Sequence, residues 1–291
     1  MMMNTPQKSP DKTSPWRWVL FVLAVALTVT WLFLTPEGLL GKADAVGYAV
    51  CHRIDARSFH IDDRPVPLCA RCSGMFLGAV LGLVFQIAQG RKGKMPPLWA
   101  SVLFGLLALA WVIDGSNSFL MLIPGLPSLY QTNNVTRLVT GTGMGLAVSA
   151  FLLPSFIQTM FTKWRNASPL GNWKQVSGLL LAAVVMDGLI LLEIPWILYP
   201  LSLISAAGVL MLLVMVYSMV LVMIFNNENI YEGFSQLYFP LTGGFIIALL
   251  QIGVMDLLRF LWTGTWEGFN LISLSAIINL QEEVKIIQWI F

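Results

Sequence analysis

The chain has 291 residues, 57% hydrophobic and only 11% charged, with a net charge of +2. A soluble domain carries about 25% charged residues, so this composition rules out a water-solvated globule and points to a lipid bilayer. The near-neutral balance gives no basis for nucleic-acid binding, which selects strongly basic faces.

A helical span needs about 20 mostly apolar residues. The first candidate covers residues 16–35. Its basic start (Lys8, Lys12, Arg17) looks like a signal peptide, but the apolar run is of span length. No small-residue cleavage site follows "WLFLTPEGLL", which predicts an uncleaved anchor. Further spans are predicted over 72–88, 97–123, 135–160, 175–196, 201–225 and 237–261, with Pro195 and Pro200 expected to break the run between the fifth and sixth. The tail from 266 on has a shorter apolar run and then Gln281, Glu282, Glu283 and Lys285, the pattern of an interfacial amphipathic helix. The expected fold is therefore all-α: a polytopic integral membrane helical bundle of about seven transmembrane helices. It divides into an N-terminal anchor helix and linker (1–44), a core membrane domain (45–160), further transmembrane helices (161–265) and the tail (266–291).

Lysine and arginine in short loops set orientation. "QGRKGKMPP" holds Arg91, Lys92 and Lys94; "FTKWRNASPLGNWK" holds Lys163, Arg165 and Lys174. With alternating spans these loops and the basic N-terminus share one side, expected to be cytoplasmic. The opposite side receives the uncharged linker "PGLPSLYQTNN" and the segment "CHRIDARSFHIDDRPVPLCARCSG". The arginines of that segment argue against this orientation.

That segment contains all three cysteines and both histidines of the chain. Three thiols are an awkward number for a disulfide framework, whereas three thiolates and one imidazole make a common tetrahedral zinc set. Cys51, His52, Cys69 and Cys72 are the expected ligands, with His60 as the alternative nitrogen. Pro65 and Pro67 place Cys69 and Cys72 where loop becomes helix, and a helix start beside Arg71 favours thiolate. Thiolate equally serves redox chemistry. One thiol of Cys69-Ala-Arg-Cys72 would attack a disulfide and the other resolve it, with Cys51 as the exchanging thiol and a membrane quinone as electron acceptor. A third, non-enzymatic role is a membrane subunit that docks a partner protein through this loop. Arg53, Arg57, Arg64 and Arg71 are expected to pair with neighbouring aspartates or lipid phosphates, or else to build an anion site.

Ionisable residues inside spans usually face the bundle interior. Asp114, Asp187 and Asp256 recur in "WVIDGSN", "VVMDGLI" and "GVMDLLR". Arg259, one turn from Asp256, is the expected neutralising partner; Asp187 needs a partner from another helix. In "TNNVTRLVTGTGMGLAV", Thr132, Asn133 and Asn134 are candidate caps, and Gly141, Gly143 and Gly145 allow close helix contact. An Asp114–Arg137 pair, extended by Asn117 and Asn134, is expected to form a polar pocket with Arg53, Arg57 and Arg71 beneath the cysteine loop.

"CHRIDARSF", "PLCARCSGMFLG", the "DG" of the next span and "TNNVTRLVTGTGMG" follow one another in the order seen in a family of prokaryotic membrane proteins catalogued as domain of unknown function 2085, which this chain resembles over roughly residues 45–150. The resemblance implies that Cys51, His52, Arg53, Arg57, Ser58, Cys69, Arg71, Cys72, Gly74, Asp114, Gly115, Asn134, Arg137 and Gly141 are the important positions. It implies no activity, shifts the histidine ligand toward His52, and leaves the later spans as an extension. The expected setting is a prokaryotic cell membrane.

Overall fold

The computed structural model describes residues 16–121, 123 and 127–268. Lys8, Lys12 and the tail from residue 269 lie outside them. Eight α-helices follow in order: α1 (Trp16–Leu34), α2 (Gly38–Val50), α3 (Ala70–Ile87), α4 (Leu98–Leu120), α5 (Asn134–Met160), α6 (Trp173–Leu191), α7 (Pro195–Ile224) and α8 (Tyr238–Thr263). Among the described residues, six helices are long and apolar enough to cross a membrane, up to seven if α1 and α2, bent by 104°, form one span. The chain is thus an all-helical membrane bundle.

Local chemistry explains most boundaries. Asn133 caps α5 by accepting from Thr136 N–H at 2.8 Å, and Asn172 caps α6 from Gln175 N–H at 3.0 Å. Gly264, at φ 68°, ends α8 in the left-handed region that favours glycine. Two boundaries differ from expectation. The break before the sixth span falls ahead of Pro195, which occupies the first turn of α7, and the helix runs on through Pro200. A proline near a helix start removes little, because the first amides have no intrahelical acceptor. The stretch after α1 is itself helical. "GLLGKADAVGYAV" has modest helix propensity, but its buried face, with Ala43, Val46 and Ala49 packed on Ala206, Val209 and Ile252, supplies what propensity lacks. A two-residue hairpin, β1 (His60–Ile61) with β2 (Arg64–Pro65), folds the cysteine loop back on itself.

The tightest seam joins α3 and α5. Gly74, Gly78 and Gly82 recur every four residues on α3 and press on the Leu138 and Thr142 backbone and the Ser149 side chain of α5, while Gly141 and Gly145 of α5 press back on the α3 backbone. A Cβ on Gly141 would collide with Arg71 O, and one on Gly145 with Met75 O. Lipid removes the hydrophobic drive between helices, so such close backbone approach is what holds a crossing together. Gly143 packs instead on Leu107 of α4.

Loops sort cleanly between the two ends. At one end the connections after α3, α5 and α7 meet: Arg165 N–H donates to Arg91 O at 2.8 Å and Thr162 N–H to Tyr231 O at 3.0 Å. At the other, the 51–69 loop meets the α4–α5 and α6–α7 connections and the segment after α8. Asn134 Nδ2 donates to Ser58 O at 3.2 Å, His60 N–H to Glu193 Oε2 at 3.4 Å, and Arg53 Nη1 to Trp266 O at 3.0 Å. Exposed Trp196 and Trp262 ring this end and exposed Trp18, Trp99 and Trp173 the other, as expected of residues anchoring at two membrane–water interfaces.

Candidate functional site

The cysteine loop begins where α2 ends. Cys51 closes α2, donating its N–H to Gly47 O at 2.8 Å. Arg53 then takes φ 52°, uncommon outside glycine, and the chain curls so that its N–H reaches Cys51 Sγ at 3.5 Å. Cys69, the residue before α3, directs its own N–H to the same sulfur at 3.4 Å. Cys72 follows in the first turn of α3. The sulfurs of Cys51, Cys69 and Cys72 all lie within 4.8 Å of one another, and none is in a disulfide.

Cys51 is the hydrogen-bond acceptor of the three thiols. Donation from the thiols of Cys69 and Cys72 holds its pKa well below the usual thiol range, against the opposing effect of burial. The same hydrogen bond, seen from the donor, pushes the Cys69 thiol up to about 12. Arg259 of α8 fixes the backbone here, its guanidinium donating to Tyr48 O and Cys51 O, both at 2.6 Å, and to His52 O at 3.2 Å, while lying 4.0 Å over the Tyr48 ring.

No histidine joins the three sulfurs as a group. His52 Nδ1 accepts from Ile54 N–H at 3.0 Å. A neutral imidazole accepting at Nδ1 carries its proton on Nε2 and has no lone pair left for a metal. Burial also lowers the pKa of His52. His60 faces away and contacts Asp55 at 3.1 Å.

Beneath the loop lies a buried polar cluster. Asp114 on α4 is fully buried and paired with Arg71, whose Nε donates to Oδ2 at 3.2 Å; Tyr130 Oη donates to Oδ1 at 2.7 Å. Burial, and then the bond to Asp114, push the Tyr130 phenol up to about 12. The expected Asp114–Arg137 pair does not form. Arg71, in the first turn of α3, reaches Asp114 first, and Arg137 instead donates to Asn134 Oδ1 at 3.0 Å and to Thr132 Oγ1 at 2.7 Å. Arg57 Nη2 donates to Ser118 O at 3.1 Å. Asn117 holds the α4–α5 connection, donating to Tyr130 O and accepting from Leu129 N–H.

Arg53 lies outside this cluster, paired with Asp44 at 2.7 Å; Arg64 pairs with the same carboxylate. Asp44 and Ser118 went unforeseen because their partners, Arg53 with Arg64 and Arg57, come from the cysteine loop and no spacing within α2 or α4 points to them. The other two intramembrane acids lie apart. Asp187 accepts from Thr142 Oγ1 at 2.7 Å, the interhelical partner it required, and Asp256 from Trp31 Nε1 at 3.3 Å. Nothing lies within 4 Å of a Cβ built on Gly115, and the structure does not explain that position.

The family comparison falls on the same stretch. Residues 51–151 match the family described as "Predicted membrane protein (DUF2085)". An uncharacterized protein of Methanocaldococcus jannaschii is 28% identical over 123 residues, 42% of this chain and 72% of the relative. An uncharacterized protein of Methanothermobacter thermautotrophicus is 32% identical over 111 residues, 37% of this chain and 90% of the relative. No solved structure gives a significant match. The matched segment opens on Cys51, closes within α5 and so spans the three cysteines, Arg57, Arg71, Asp114 and Arg137: the chain belongs to the DUF2085 family of predicted membrane proteins.

Proposed function

We propose that this membrane protein holds a soft transition-metal ion, zinc or similar, on Cys51, Cys69 and Cys72 at its extracytoplasmic end. The observation that carries the reading is the convergence of three sulfurs within 4.8 Å. Zn–S bonds of about 2.3 Å in a tetrahedron put sulfurs roughly 3.8 Å apart, so only a small contraction is needed. With His52 Nδ1 engaged by Ile54, no fourth ligand joins the three sulfurs among the described residues, and that position is open to exchange. A site with three protein ligands and one exchangeable position is the catalytic rather than the structural pattern. The orientation is supported by Arg91, Lys92, Lys94, Lys163, Arg165 and Lys174, which all belong to the opposite end. Phe21 of α1 lines a groove with Tyr238 and Thr242, so the start of α1 lies at the same basic end, which supports the same orientation.

The test is metal per chain by elemental mass spectrometry, on detergent-purified protein and on the Cys69→Ser/Cys72→Ser variant. About one ion per chain, lost in the variant, is the expected result. Metal-free protein, or metal retained by the variant, overturns the reading.

A thiol–disulfide role is the second reading, favoured by the two N–H groups directed at Cys51 Sγ. A partner's thiolate would attack Cys69 or Cys72 in a disulfide with Cys51 and expel Cys51 as the thiolate. The partner's second thiol would then displace that cysteine, leaving the partner with the disulfide and this chain as a dithiol, and a quinone would take up the two electrons and two protons released when the dithiol is reoxidised. Reversible interconversion of thiol and disulfide on adding quinone to metal-free protein is its signature.

A further inference from the structure

The three guanidiniums beneath the loop are in excess of what neutralises them. Arg57 is 9% exposed and Arg137 6% exposed. Arg71 is mostly buried and is paired with Asp114. Three cations against one carboxylate leave two positive charges (3 − 1 = 2). A thiolate at Cys51, or a divalent ion on three thiolates, removes one more, and one remains. Buried charge of this kind costs several kcal/mol unless something compensates it.

Hydrogen bonding shows the same surplus. A guanidinium has five N–H donors. Arg57 uses one, on Ser118 O, among the described residues. Arg137 directs Nη1 to Asn134 and Nη2 to Thr132, while its Nε is buried with no partner. The three side chains are tied to one another through Thr132, Ser118 and Thr140. Thr132, which accepts from Arg137, contacts Ser118 Oγ at 3.4 Å, and Ser118 O accepts from Arg57. Thr140, one turn along α5 from Arg137, lies 3.3 Å from the carboxylate that Arg71 holds. Burial, and then the guanidinium of Arg71, lower the pKa of Arg57.

We propose that Arg57, Arg71 and Arg137 form a binding site for an oxyanion, a carboxylate or phosphate group, beneath the cysteine loop. Guanidinium forks match the paired oxygens of these groups and bind them with charge-assisted hydrogen bonds. Arg71 serves two partners, Asp114 and the anion, while Arg57 and Arg137 supply the free donors. The site goes beyond the metal reading and does not depend on it.

The test is isothermal titration calorimetry of purified protein with inorganic phosphate and, separately, acetate, against Arg57→Gln, Arg137→Gln, Arg137→Lys and, at the opposite end, Lys94→Gln. Saturable binding of at least one ion is expected, weakened tenfold or more by either glutamine variant, less by Arg137→Lys, and unchanged by Lys94→Gln. Gel-filtration profiles confirm folding; if Arg137→Gln aggregates, Arg57→Gln carries the comparison. Absence of saturable binding, or glutamine variants that bind like the parent, overturns the proposal. Repeating the titration on Cys69→Ser/Cys72→Ser separates the two sites: retained phosphate binding without metal leaves this one standing, and the titration of the parent decides it in either case. Nanodiscs with and without phosphatidylglycerol distinguish the sources. Phosphate binding suppressed by the anionic lipid identifies a headgroup in the site, and unchanged binding identifies a free ion.

Discussion

The two ends of this bundle use cations in opposite ways. At the basic end Lys94, Lys163, Arg165 and Lys174 are exposed, and the loops are joined by backbone hydrogen bonds and by Arg91 lying 4.7 Å over the Phe161 ring. At the cysteine end Arg57 and Arg137 are buried, and Arg71 and Arg53 nearly so. Charge at the first end is solvated and acts through its sum rather than through individual partners. At the second it is desolvated and fixes local geometry through individual partners, so the same residue type tolerates replacement at one end and not at the other.

The largest expected break in this contrast is Asp114→Ala, which strands Arg71 as a buried charge and should cost about 3–5 kcal/mol. It is read as the loss of unfolding free energy in detergent; a loss under 1 kcal/mol (a few-fold in the folded/unfolded ratio) would mean Arg71 finds water instead. Next comes Arg259→Gln, which removes the charged donors to Tyr48, Cys51 and His52 carbonyls. About 2 kcal/mol is expected for hydrogen bonds of this type, together with faster maleimide labelling of Cys51; unchanged labelling would show that α8 does not hold the loop. The smallest effect belongs to Lys94→Gln/Lys163→Gln, expected within about 0.5 kcal/mol of the parent. A larger loss there would erase the difference between the ends.

Much of this was legible in the sequence because lipid imposes simple rules. Span length and loop charge follow from hydropathy and basic residues alone, and the order of loops at each end follows from alternation. The gathering of cysteines was legible because one loop owns them all. Pairing was not. Arg137 lies near Asp114 by any topology, but α3 crosses α5 closely enough for Arg71 to arrive first, and that closeness comes from Gly74, Gly78 and Gly82. Their four-residue spacing stands in "SGMFLGAVLGLVF" and is the signal that would have predicted the seam. α2 was hidden because its helix rests on tertiary burial, and Arg259 because a nearer acid, Asp256, offered itself as the partner.

Arg259 lies 208 residues after the Cys51 carbonyl it holds. A ribosome adds about 5–20 residues per second, so roughly 10–40 seconds separate synthesis of the first cysteine from that of its anchor. Throughout that interval the thiols stand in a loop whose α8 support does not yet exist. On the extracytoplasmic face proposed above, which is oxidising, a Cys-x-x-Cys pair left open for that long would be exposed to disulfide formation. Early capture of a metal by Cys51, Cys69 and Cys72 would protect them, and the order in which the chain is made would then be part of how the site survives.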